Sequence, residues 1–267
     1  HDDLENGEGS SRDGLPNHVE AVPLELPKRM ETPANAASRL MGEYEARLAT
    51  EPDNLKLIRS LADLCAQKGQ FDRALEYFQR LKSASPSGDA MLDRAIVDTT
   101  LRYFDFQLSQ INATAPDYAE RTVQIQSEKG AFQLAECQQR AARQPTDLDI
   151  RFELGRLYFQ AGKISEAIGE LQKAQQSPHR RIAAMSLLGQ CFVRRNMSDL
   201  AARTFQNAIK EKPALDEEKK DLIYHLGGVL EKMGKSDEAV AQFQAIYEID
   251  SNYRDVSAKV EAYYAGL

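Results

Sequence analysis

Arginines, three thiols and four imidazoles are the side chains with most capacity for chemistry. Arg156 and Arg194 carry guanidinium groups that can hold a carboxylate through charge-assisted hydrogen bonds. Phe152 and Phe159 are apolar anchors of the kind that dominate binding energies. The cysteines Cys65, Cys137 and Cys191 are few, odd in number and far apart, which suits neither a disulfide framework nor a zinc site. The histidines His1, His18, His179 and His225 show no HExxH or paired metal-ligand spacing. His225 reads as a structural helix residue. Gly227-Gly228 lies mid-helix and forms no phosphate-cradling loop, and no GxSxG elbow occurs. Asn112-Ala113-Thr114 and Asn196-Met197-Ser198 match a glycosylation triplet by chance. The expectation is no catalytic residue, no cofactor and no metal.

The elements that must position these groups are helical. The chain has 267 residues, 42% of them hydrophobic, with no Trp. Its core must come largely from Leu, Ala and Ile, a mix that favours helices. The net charge of -7 is uneven, because residues 1–33 hold eight acids and three bases. The body is thus near neutral, which argues against general nucleic-acid binding. Residues 1–33, acidic and then rich in Pro, are expected to be a disordered tail, with AVPLELP able to dock as an extended strip. No apolar run approaches the roughly 18 residues of a membrane span. The chain begins at His1, so a targeting segment or anchor removed upstream is compatible with it. The expected compartment is the cytoplasm, with no membrane insertion of the chain itself.

Four stretches align without gaps, starting at Leu61, Leu154, Leu188 and Leu226. Each Leu is followed by a small residue, Ala62, Gly155, Gly189 or Gly227, which lets a second helix come close. One turn on stands Cys65, Tyr158, Phe192 or Leu230, on the same helix face. A turn follows at Gly69, Gly162, Asn196 or Gly234, residues suited to a left-handed helix end. Ser165, Ser198 and Ser236, each before an acid, read as caps of the second helix. That helix carries Ala74, Ala167, Ala201 and Ala239, then Phe78, Leu171, Phe205 and Phe243. Pro86, Pro178 and Pro213 punctuate the unit ends.

These units resemble the tetratricopeptide repeat family, in a bacterial-type form with a degenerate, enlarged middle repeat. The spacing from Ala167 to Ala201 is 34 residues, the repeat length of that family. The family's usual Trp is replaced by Ile58, Arg151, Met185 and Ile223; Arg151 fits worst, and Phe152 is expected to take its packing role. The resemblance implies an all-α solenoid of antiparallel hairpins in a right-handed superhelix, with a long-helix insertion. Its divisions are a tail over 1–33, a capping helix over 34–53 and a repeat over 54–87. An enlarged hairpin over 88–146 follows, with helices expected at Asp89–Ile111 and Asp117–Arg143. Repeats then cover 147–180, 181–214 and 215–251, and a capping helix covers 252–267. Val256, Val260 and Tyr263 are expected to form that last helix's buried stripe.

In a stack of curved hairpins the first helix of each unit lines the concave side. By offset from the seam, Arg59, Asp63, Phe152, Arg156, Phe159, Ser186, Gln190, Arg194, Tyr224 and Glu231 face a partner there. A two-carboxylate clamp, used by some members of the family, is not supported, because Asp63 would repel a carboxylate. Residues 179–212 contain seven bases and two acids, a surface for an acidic partner or for the chain's own tail. Tyr103, Phe104 and Phe106 cannot share one helix face. They are expected to pack mainly on the long helix that follows. The leading expectation is a non-enzymatic scaffold that binds a protein or peptide, an acidic one if the arginines are used, and no nucleic acid. A second is an accessory subunit of a membrane-associated assembly, tethered through a removed N-terminal segment. Nucleic-acid binding through the Arg-rich third unit is a third. Exposed solenoid ends leave room for a homodimer.

Overall fold

A computed structural model describes residues 32–85 and 87–266. The tail over 1–31, its AVPLELP strip and Pro86 lie outside the described residues. Twelve helices and no strand are present among the described residues. The first five are α1 (Pro33–Thr50), α2 (Leu55–Gln67), α3 (Phe71–Ala84), α4 (Ala90–Ser109) and α5 (Tyr118–Arg143). Then come α6 (Leu148–Gln160), α7 (Ile164–Ala174), α8 (Arg181–Arg194) and α9 (Ser198–Glu211). The chain continues through α10 (Glu217–Lys232), α11 (Ser236–Tyr247) and α12 (Val256–Tyr264). No helix among the described residues is long and apolar enough to cross a membrane.

The helices stack in chain order as an α-solenoid, each packed on its sequence neighbours. In α6–α7, α8–α9 and α10–α11 a glycine sets the approach. A Cβ on Gly155 would lie 2.7 Å from Leu171, one on Gly189 2.5 Å from Phe205, and one on Gly227 2.6 Å from Phe243. A side chain there would have to displace the facing Leu or Phe. Gly228 meets nothing within 4 Å, so only the first glycine of the pair serves packing. Phe78, Phe205, Phe243 and Leu171 are fully buried, and Ile58, Met185 and Ile223 are buried where a Trp is usual.

The hairpin turns share one hydrogen-bond scheme. Gln70, Lys163, Met197 and Lys235 each donate N–H to the carbonyl five residues back, on Cys65, Tyr158, Phe192 and Leu230. Between them sits a left-handed residue, Gly69, Gly162, Asn196 or Gly234. This is a Schellman closure, and the residue that completes it also begins the next helix. The serine caps are therefore corrected. Lys163, Met197 and Lys235 hold the N-cap positions without side-chain caps, and the serines fall inside the first turn. The acids Glu166, Asp199 and Asp237 do lie in that first turn.

Other boundaries follow from real caps. Thr32 Oγ1 accepts from Asn35 N–H, so Pro33 opens α1, where its missing N–H costs nothing. Asp216 caps α10 through Lys219 N–H, and the extra residues of that unit lengthen its first helix. α12 starts at Val256, later than expected, because Asp250 to Asp255 form turns with Arg254 left-handed. Val256 and Val260 are buried there. Tyr263 is not; it leaves the seam and donates its hydroxyl to Asp237 at 2.6 Å.

The core is segmented. One cluster runs from Met41 to Leu92, a second from Leu134 to Leu157, a third from Ala167 to Cys191 and a fourth from Met185 to Val260. Between Leu92 and Leu134 only Thr99 and Ile111 are buried. Phe104 packs on Phe132 of α5, with ring centroids 6.2 Å apart. Tyr103 and Phe106 turn the other way, onto Phe71 of α3 at 5.8 and 5.6 Å. The expectation that this trio packs mainly on the long helix thus holds for Phe104 alone.

Candidate partner-binding surface

First helices of successive units crowd together. α6 touches α8, and α8 touches α10, whereas α7, α9 and α11 lie farther from one another. The row of first helices is thus the inner side of the curve.

The side chains expected on this row are mostly held by neighbours within the chain. Arg59 pairs with Asp63 at 3.2 Å and lies 5.5 Å over Phe78. Arg194 sits 3.8 Å over the Phe159 ring and donates to the Phe159 carbonyl at 3.0 Å. Gln190 reaches toward Ser186 at 3.5 Å. Glu231 takes Lys259 at 2.7 Å. Tyr224 donates to Asp255 at 2.8 Å beneath Arg254; burial, then that carboxylate, pushes its phenol up to about 12. Phe152 is half-buried under Arg180 at 5.2 Å. Phe152 packs against the cluster of Ala167, Leu171 and Leu188, while Arg151 Nη1 meets Glu170 at 2.9 Å and its other nitrogens donate to the Pro145 carbonyl.

Most of the basic residues over 179–212 are likewise engaged. Arg180 pairs with Asp149 at 2.6 Å, and Arg181 with Glu211. Arg195 donates to Ser165 at 2.6 Å. These bonds step about one repeat along the chain, as do Arg80 to the Pro52 carbonyl and Lys220 to Asp250. Charged side chains therefore fasten neighbouring units, which a charge count cannot show.

Ser177, His179 and Asp149 form one alignment that suggests hydrolysis. Ser177 Oγ lies 3.1 Å from His179 Nδ1, and His179 Nε2 lies 2.9 Å from Asp149 Oδ1. A nucleophile must reach a carbonyl, but Ser177 is buried at 3% exposure. Arg180 and then His179 hold the Asp149 carboxyl below its usual range. The trio ties the turn before α8 to α6. All three cysteines are fully buried, and burial raises their thiols, those of Cys137 and Cys191 to about 11. No group of three metal-ligating side chains is gathered among the described residues. Asn112 accepts from Thr114 N–H and Oγ1 in a local turn, and Asn196 takes the left-handed turn position.

Phe152, Arg156 and Arg180 meet in a concave cavity of about 510 Å³ that also includes Arg94 of α4, and Arg140 and Gln144 at the α5 end. The sequence reading missed Arg94 and Arg140, because the enlarged hairpin aligns with no other unit.

Repeated Schellman turns, glycine-limited hairpins and an inner row of first helices define a helical-repeat interaction protein. Tetratricopeptide repeat models match residues 34–89 and 138–181, and a further one matches 221–253. The chain belongs to the tetratricopeptide repeat family. Among solved structures it is similar to MamA, at 19% identity and TM-score 0.46, covering 75% of this chain and 95% of that one. It is also similar to YrrB, described as a TPR protein with an unusual peptide-binding site, at 13% identity and TM-score 0.46, covering 80% and 96%. BtubC from P. vanneervenii matches at 18% identity and TM-score 0.44, covering 88% and 91%. No curated protein matches the chain.

Proposed function

We propose that the chain is a non-enzymatic scaffold that holds a partner protein or peptide along the inner row of first helices. The observation that carries this is the half-exposed state of Phe152, Arg156, Ser186 and Gln190 on α6 and α8, beside a seam closed by buried Leu and Phe. An inner row that keeps aromatic and polar groups accessible offers anchors and hydrogen bonds over an extended surface. Arg59 with Asp63, Phe159 with Arg194, and Tyr224 and Glu231 border the same row, but their internal bonds give them a framing role.

Site-specific photo-crosslinking tests this. A photoreactive residue at Ser186 or Gln190 is expected to trap a partner, identified by mass spectrometry. The same residue at Arg203, exposed on α9, is expected to trap little. Equal capture from Arg203, or capture only from Val123 on the enlarged hairpin, would remove the inner row as the docking surface.

A further inference from the structure

The cavity between the enlarged hairpin and the repeat that follows has an unbalanced wall. Its carboxylates are already committed. Asp147 Oδ1 caps α6 through Asp149 and Ile150 N–H, at 2.9 and 3.1 Å. Asp149 takes Arg180 and His179. Glu153 takes Arg140 at 2.8 Å, and Arg140 also holds Glu136 at 2.9 Å. Two guanidinium groups remain. Arg94, exposed on α4, and Arg156, half-buried on α6, have no carboxylate partner among the described residues, and both line this cavity. Arg156 is partly withdrawn from water without a counter-charge, which is costly, and an anion entering beside it recovers that cost.

We propose that this cavity is a subsite for an acidic side chain of a peptide, gripped between Arg94 and Arg156, with Phe152 as its apolar wall. The proposal rests on the scaffold reading and adds the chemistry of the partner. A cavity of about 510 Å³ falls in the size range of small-ligand sites, and arginine forks match a carboxylate in two-point contact. The committed Asp147, Asp149 and Glu153 interrupt the basic residues of the same wall. Nucleic acid needs an unbroken basic track, so a single carboxylate suits this wall better. Arg94 belongs to the enlarged hairpin and Arg156 to the next repeat. The ligand would therefore bridge α4 and α6, whose buried apolar residues belong to different core clusters.

The test is fluorescence anisotropy on the full chain, with labelled hexaglutamate as probe and labelled hexaglutamine as neutral control. Hexaglutamate is expected to bind at least about tenfold more tightly, and Arg94→Ala and Arg156→Ala to weaken it by about tenfold each. Arg203→Ala, on the outer face, is expected to bind as the unaltered chain does. Circular dichroism checks folding. Should Arg156→Ala unfold, Arg156→Lys is read instead, with an intermediate loss expected because the fork is removed and the charge kept. No preference for hexaglutamate, or undiminished binding by both alanine variants, overturns the subsite. So does tighter binding of oligouridylate, or displacement of the probe by inorganic phosphate as effectively as by unlabelled hexaglutamate. Photo-crosslinking at Ser186 and Gln190 reads the inner row independently, so the subsite can fail while the scaffold reading stands.

Discussion

The array from α6 to α12 and the hairpin of α4 and α5 contain the same kind of helix and use it differently. In the array every unit has a glycine against a large side chain, and the two helices close until a Cβ would have to displace that side chain. Each then buries a stripe along most of its length. α4 has 20 residues and buries only Leu92 and Thr99; α5 has 26 and buries only Leu134, Cys137 and Ala141, all in its last turns. α4 and α5 meet through the Phe104–Phe132 ring pair and the Lys129–Asp105 ion pair. Gly130 has nothing within 4 Å of where a Cβ would stand. Helical length and apolar content therefore do not make a core. The close-approach position does, because it lets large side chains reach native packing density. What the hairpin leaves unpacked, including exposed Val123 and Tyr118, is surface rather than scaffold.

The largest expected effect that would sharpen this contrast is at Phe205. Phe205→Ala should cost about 4 kcal/mol, as for a fully buried ring. Phe104→Ala, from a half-buried site, should cost about 1–2 kcal/mol. Denaturant titration measures both. Hydrogen exchange separates them further, since repeats couple to nearest neighbours. The Phe205 variant should lose protection across α8 to α10, whereas the Phe104 variant should leave that region unchanged. Equal losses would break the comparison. Next comes a pair of substitutions with opposite signs. Gly189→Ala sets a Cβ 2.5 Å from the Phe205 ring. Overpacking of about 2 kcal/mol outweighs a propensity gain of about 1 kcal/mol, a net loss near 1 kcal/mol. Gly130→Ala meets no obstacle and should gain about 1 kcal/mol.

Much of this contrast was legible in the sequence. Leu61, Leu154, Leu188 and Leu226, their small followers and the left-handed turn residues recur at fixed offsets, and periodic burial of that kind is a local signal. Asn196 taking the turn position, at φ 57°, was readable because few residues tolerate that backbone. The serine caps misled, because a Schellman turn supplies the next helix start from the backbone, one or two residues earlier than the side-chain pattern suggests. The surface was harder to read. Arg194, Tyr224 and Glu231 looked accessible by helical offset, yet each bonds to a group about 30 residues away, and no local pattern reveals such a partner. Arg151, a misfit where an apolar residue was expected, is explained only by Glu170 and the Pro145 carbonyl. Arg94 and Arg140 enter the cavity through the part of the chain with no aligned counterpart.

The smallest expected effect tests whether the hairpin is imperfectly satisfied as well as loosely packed. Thr122 Oγ1, in the first half of α5, is buried without a hydrogen-bond partner. A buried hydroxyl left unmet costs stability, and an isosteric methyl removes that cost. Thr122→Val should therefore stabilise the chain by about 0.5 kcal/mol, read as a higher denaturation midpoint at unchanged slope. A loss instead would mean that the hydroxyl finds a partner in solution, such as the Tyr118 carbonyl one turn back. The hairpin would then differ from the array in packing alone, and its polar groups would be as well met as those that fasten the repeats.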